Sequence, residues 1–148
     1  MQKVLTIIRG LPGSGKSSYA ESICGNTPIC SADDFFTING VYTFDGSKLP
    51  QAHADCQSRV NAVLYHHDSN VIVANTFTQR WEMEPYLVMA KYNNARVVVI
   101  DCFDGGMDDE TLAQKNVHGV PLDSIRAMRA RWEHDWRAAS PIAPWLRR

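Results

Sequence analysis

The stretch Arg9–Ala20, RGLPGSGKSSYA, decides how the rest of the chain is read. Gly10-Leu11-Pro12-Gly13-Ser14-Gly15-Lys16-Ser17 fits the spacing G-x-x-x-x-G-K-[ST] in full. The apolar, β-branched run VLTIIR (4–9) precedes it, and a helical pattern follows from about Lys16. In that context glycines let backbone N–H groups turn inward around a phosphate. The helix start adds the positive end of its dipole. Gly10, Pro12, Gly13, Ser14, Gly15, Lys16, Ser17 and Ser18 are therefore expected to cradle a nucleotide. Lys16 would reach its outer phosphates and Ser17 would ligate Mg²⁺.

Outward from that loop, apolar segments alternate with helical ones. PICSA (28–32), VIVANT (71–76) and ARVVVID (95–101) read as three further buried strands. Helical patterns cover about 49–67, 79–92 with Pro85 in the first turn, 108–117, and 122–138. In the last of these, Ile125, Met128 and Trp132 are expected to face inward, with Arg126 and Arg129 turned away. An Asn-Gly pair inside FFTINGVYTF (35–44) signals a small hairpin. Alternation of this kind predicts an α/β fold of P-loop NTPase type, α/β/α in three layers. The expected sheet is short and parallel, with four strands in the order 2-3-1-4, under a helical lid. Ligands in such sheets sit beyond the carboxyl ends of the strands.

The bulk numbers set bounds. The 148 residues suit one domain spanning 1–148, with 45% hydrophobic and 21% charged residues. The five-residue run VLTII is too short for a signal segment or a membrane span, so a cytoplasmic location is expected. Cys24, Cys30, Cys56 and Cys102 form no C-x-x-C pair and read as reduced thiols. Net charge is −1, from 15 basic and 16 acidic residues, whereas proteins that wrap long nucleic acids are usually basic. The end of a strand or a nucleoside-like molecule remains an admissible partner.

A phosphate grip serves kinases, GTP switches, motors and passive binders alike. A base-reading N-K-x-D is absent, which speaks against a GTP switch. No apolar strand ends in Asp-Glu, as a motor would want. A kinase needs a carboxylate near an acceptor hydroxyl and a cation over the phosphates. Asp33 ends the second strand, two strand spacings or roughly 9–10 Å from the phosphate loop, and is the candidate base. Asp34 follows it as a weaker candidate. LAQKNVHGV (112–120) is the lid candidate, with Lys115 its only cation, Arg126 and Arg129 next in line, and Gly119 as a hinge.

GLPGSGKS, SADDFF, YTFDGSKLPQAH, VIVANT, TQRWEMEPY and KNVHGVP, followed by RWE, occur in this order in the chain. In these motifs the sequence resembles P-loop kinases of the 5′-hydroxyl polynucleotide kinase-like family, over nearly its whole length. The resemblance implies an ATP-dependent phosphotransferase acting on the 5′-hydroxyl of a DNA or RNA end, with ATP and Mg²⁺. It implies that Lys16 and Ser17 hold nucleotide and metal, and that Asp33 activates the acceptor. His53 matches a family position, where helix packing and substrate contact are both open. Phe36, Phe77 and Trp81 are expected to stack on a terminal base or to pack in the core. Asn75, Thr76 and Arg126 complete the expected acceptor side. The chain departs from the animal branch of that family at Ala74, Phe77 and Lys115, which stand where Asp, an amide and Arg are usual. It also lacks an arginine at Phe36, which leaves two other readings open: kinase of a small molecule or modified nucleoside, and a nucleotide-binding module without chemistry.

Overall fold

The computed structural model describes residues 2–148. Strand β1 (Val4–Gly10) lies at the centre, with β5 (Val71–Asn75) on one side and β6 (Arg96–Phe103) on the other. The short β2 (Ile29–Cys30) pairs with β5 at the edge, so the order is β2-β5-β1-β6 and every pairing is parallel. This is the expected 2-3-1-4 arrangement of the four principal strands. The Asn39-Gly40 pair turns a separate two-stranded hairpin, β3 (Thr37–Ile38) against β4 (Val41–Tyr42).

Side-chain alternation explains why the central strands are apolar throughout. Leu5, Ile7, Val71 and Val73 face one layer, formed by α2 (Leu49–Asn61) and α3 (Arg80–Tyr92). Ala52, Cys56 and Val60 meet them from α2, and Met83, Tyr86 and Ala90 from α3. Ile8, Ile72 and Ala74 face the opposite layer and meet Ala20 of α1 (Lys16–Cys24). A third cluster joins Leu11 of the phosphate loop to Leu112 of α4 (Asp109–Lys115), Ile125 of α5 (Leu122–Ala130) and Trp132. No helix among the described residues is long and apolar enough to cross a membrane.

Three helix boundaries differ from expectation. Pro85 is the sixth residue of α3 rather than part of its first turn. A capping box, in which Glu82 accepts from the Gln79 N–H, starts the helix one residue after the expected position. The segment after Asn61 widens into a π turn over Ala62–His66. Helix α5 stops at Ala130, eight residues early. The cause is tertiary: the Glu133 N–H donates to the Thr78 carbonyl (2.8 Å), and the Glu133 carbonyl accepts from Arg9 (2.9 Å). Those bonds draw the chain away from a helical path.

Arg9 holds that junction. It is the penultimate residue of β1, is fully buried and spends all five guanidinium N–H groups. Nε and Nη2 donate to the Phe77 carbonyl at 3.0 and 2.8 Å, and Nη2 also to Thr78 at 3.2 Å. Nη1 donates to the Asp101 carboxylate at 3.1 Å and to Glu133. The plane lies over the Trp132 ring, 4.1 Å from its centroid. Phe77 (φ 46°) and Phe103 (φ 45°) both adopt left-handed backbone, costly for bulky residues. Their carbonyls accept from Arg9 and from the Leu11 N–H, and those bonds hold the strained turns on either side of the loop.

Arg9→Leu should therefore destabilise the fold by about 3–5 kcal/mol, since it strands Asp101 and three carbonyls. Arg9→Lys should recover only part of this, because an ammonium has no planar fork. Urea unfolding followed by tryptophan fluorescence checks both.

Candidate active site

The phosphate loop lies between β1 and α1. Gly13 (φ 82°) and Gly15 (φ 97°) use left-handed backbone that only glycine adopts without strain, and Gly15 is the N-cap of α1. No side chain caps this helix. Its first N–H groups, from Lys16 to Ser18, are thus left for an outside acceptor. Lys16 is half-buried and makes no hydrogen bond or ion pair with the described residues. Burial pushes its ammonium pKa below the usual lysine range, and the charge of Asp33 opposes that shift. The Ser14 hydroxyl is buried without a partner. Left-handed glycines, an uncapped helix start, an unpaired lysine and an orphaned hydroxyl fit a nucleotide phosphate. The exposed Ser17 hydroxyl in the first turn fits a ligand to its Mg²⁺.

Asp33 sits in a 3-10 turn, Ala32–Phe36, at the end of β2. Ser31 caps that turn by accepting from the Asp33 N–H. Asp34 completes a capping box on the Ser31 N–H (3.0 Å) and pairs with Arg59 at 3.1 Å. It therefore braces the turn, where the sequence suggested a substrate contact. One Asp33 oxygen accepts from the Tyr42 hydroxyl at 3.2 Å, and the other lies 3.4 Å from His118 Nε2. The Tyr42 and His118 rings lie against each other, 4.3 Å between centroids. The Tyr42 hydroxyl titrates at about 12, raised by burial and by the Asp33 charge, so it stays a donor.

The 112–120 segment lies down on the phosphate loop. A Cβ at Gly13 would fall 2.6 Å from the Leu112 carbonyl oxygen and 3.1 Å from the Asn116 nitrogen. The Asn116 side chain knots the following turn: it donates to the Leu112, Ala113 and Val120 carbonyls and accepts from the Val120 N–H. Lys115 is exposed at the last residue of α4, with no ion-pair partner among the described residues. Arg126 lies on the outer side, paired with Glu110 (3.0 Å) and Asp123 (3.8 Å). Arg129 is not turned away as expected. It clamps Asp104 and Asp109 at 2.8 and 2.7 Å, and so fastens α5 to the approach of α4.

The aromatic expectations need correction. Phe36 is 4% exposed and packs against Phe35, Tyr42 and Phe44, so it offers no face to a base. Phe77 is 3% exposed and meets Tyr86 edge-on. Asn75 is also structural: its oxygen accepts from the Ala32 N–H at 2.8 Å, tying β5 to the Asp33 turn. The Thr76 carbonyl accepts from Gly10. A groove of about 740 Å³ opens beside these residues, lined by His53, Asn75, Trp81, Pro85, Tyr86 and Trp145 among others. His53 and Trp81 thus line this groove, and Asp33 and Lys16 do not. Sequence reasoning assigned no role to Tyr42 or His118. The hairpin signal and the HGV motif had placed both, but nothing in one dimension put them together.

Comparison with known proteins agrees with this geometry. The family model described as an AAA domain matches residues 5–134. The chain belongs to that family, as a P-loop kinase-like member. Human NEDD4-binding protein 2 is 37% identical over 129 residues, which are 84% of this chain and 7% of that protein. The chain therefore spans a small fraction of that relative's length. Among solved structures, a chain of the Pnkp1/Rnl/Hen1 RNA repair complex superposes with a TM-score of 0.68 at 18% identity, over 88% of this chain and 44% of the other. A gluconokinase from Sinorhizobium meliloti gives 0.53 at 16% identity, over 89% and 75%. Those two likenesses concern the fold. The family match and the superpositions give the chain the fold of P-loop kinases.

Lys16→Met should abolish turnover and at the same time stabilise the ligand-free protein. A lysine whose pKa falls on folding penalises the folded state; the penalty is full below the lowered pKa and fades as pH rises from there to the ordinary lysine value, above which it is gone. At pH 7 the variant should melt about 2–4 °C higher, the shift that roughly 1 kcal/mol gives at this size. Pyrophosphate should raise the melting temperature of the parent protein but not of the variant, by differential scanning fluorimetry.

Proposed function

We propose that this domain transfers the γ-phosphoryl group of ATP to the 5′-hydroxyl of a DNA or RNA end. The observation that carries the reading is the shared site of Lys16 and Asp33. The Asp33 carboxylate, at the end of β2 and two strands from β1, acts on the charge of the phosphate-loop cation Lys16 at the carboxyl edge of the sheet. ATP supplies the phosphoryl group, and Ser17 would hold a Mg²⁺ that would neutralise charge on its phosphates. Backbone N–H groups of the loop hold and orient the phosphates, and Lys16 offsets charge on the transferred group. Asp33 accepts the proton of the acceptor hydroxyl as the acceptor oxygen bonds to the γ-phosphorus and the bond from that phosphorus to the bridging oxygen breaks, releasing ADP. Lys115 closes over the phosphates from the end of α4. As a point charge it stabilises the transferring group less than the usual arginine fork would.

A second reading is a nucleoside or other small acceptor, and the groove favours it. None of the described residues lining it is Lys or Arg. Strand ends are normally held by cations on successive phosphates. Labelled ATP offered with 5′-hydroxyl DNA and RNA dodecamers, free nucleosides and modified DNA distinguishes the two. Transfer to dodecamers with a steep salt dependence supports the first reading. Transfer to free nucleosides, insensitive to salt, supports the second.

On the best acceptor of that panel, Asp33→Asn should lower kcat by about 10²–10⁴ while ATP affinity stays within twofold or so, by calorimetry with a non-hydrolysable analogue. Lys115→Ala should cut kcat strongly, and Lys115→Arg should match or exceed the parent protein.

A further inference from the structure

Asp33 is gripped from two sides by elements distant in sequence. Tyr42 comes from the β4 hairpin strand and donates to one carboxylate oxygen. His118 comes from the turn knotted by Asn116 and lies within reach of the other. The two rings pack against each other, so each braces its neighbour. The hairpin is itself fastened to the Asp33 turn, since the Thr43 N–H donates to the Phe36 carbonyl at 2.9 Å. Tyr42 is therefore a fixed partner. His118 is a conditional one, because its turn follows directly on the stretch of α4 that rests on Gly13 of the phosphate loop.

We propose that Tyr42 and His118 are positioning residues which clasp Asp33, one oxygen each, and that His118 makes completion of the clasp depend on the 116–120 turn lying against the phosphate loop.

The chemistry follows from the carboxylate's capacity. Two oxygens offer about four lone-pair sites; Tyr42 takes one by a hydrogen bond, and the His118 ring faces the other oxygen at ion-pair distance. The remaining pairs point in a fixed direction, toward the acceptor hydroxyl. Donors on a carboxylate make it a weaker base, but phosphoryl transfer asks more for position than for basicity. Lys16, Tyr42 and His118 are the ionisable groups the structure sets against Asp33. Of these, only His118 travels with the turn beside the lid. Nucleotide held by the loop would thereby favour an Asp33 aligned for the acceptor.

This inference rests on the kinase reading, so its test has one arm that needs no acceptor. Amide hydrogen exchange across residues 116–120 is followed in the full chain with a non-hydrolysable ATP analogue bound. His118→Ala and Asp33→Asn should each speed exchange there by about threefold, the effect of losing one partly exposed charge contact. Unchanged exchange in both variants would overturn the clasp, whatever the protein phosphorylates. In the second arm a 5′-hydroxyl DNA dodecamer and thymidine serve as acceptors. Tyr42→Phe and His118→Ala should lower kcat about tenfold with the KM for ATP unchanged, and His118→Gln should restore part of the loss. Full kcat in both Tyr42→Phe and His118→Ala would also overturn the positioning role. If the parent protein phosphorylates neither acceptor, that counts against the proposed acceptors, and the exchange arm still decides the clasp.

Discussion

One buried guanidinium organises the ligand edge of this sheet. Arg9 is the residue immediately before the phosphate loop, and its charge sits in the interior. Burial pushes its pKa down, and the carboxylate of Asp101 pushes it back up. A buried charge is tolerable only where every donor finds an acceptor. Here the acceptors come from β6, from the turn after β5 and from the chain after α5. Satisfying one side chain thus draws together the ends of two strands and the return of the C-terminal segment. The strained backbone at Phe77 and the early end of α5 both follow from that demand.

The phosphate loop then lies on a frame that is already rigid. Leu11 anchors its apolar side among Leu112, Ile125 and Trp132. Its polar side is left underfilled among the described residues: no side-chain cap on α1, no partner for Lys16, none for the Ser14 hydroxyl. Stability is given up where a ligand is to supply the missing interactions, a common arrangement at functional sites. The lowered pKa of Lys16 is the electrostatic expression of the same fact.

The acceptor side is organised differently. Asp33 is held by side chains from a hairpin and from the turn after α4, and its backbone by Ser31 and Asn75 through the neighbouring Ala32. The groove beside Asn75 is largely apolar and aromatic, with polar groups at His53, Gln57 and Asn75 and carboxylates at Glu82 and Glu84. A wall of this kind discriminates by shape and stacking more than by charge. That character agrees with the near-neutral net charge of the chain.

Local sequence was sufficient for whatever depends on local rules. The glycine spacing, the strand before it and the helix after it specify a phosphate loop, because positive φ and free N–H groups are properties of a few consecutive residues. Fully apolar strands alternating with helices specify a covered parallel sheet, and the resemblance to P-loop kinases supplies its order. The Asn-Gly hairpin and the position of Asp33 at a strand end were legible for the same reason. What one dimension could not decide was which side chains are consumed by the fold. Phe36 and Asn75 looked like acceptor contacts, yet burial claims the first and the Ala32 N–H the second. Arg9 read as the end of a strand and Arg129 as solvated, because their partners lie far away in sequence. Tyr42 and His118 are 76 residues apart and meet only at Asp33. Such pairings are settled by packing between elements, where burial makes every polar atom find a partner, and only the tertiary structure shows which one it found.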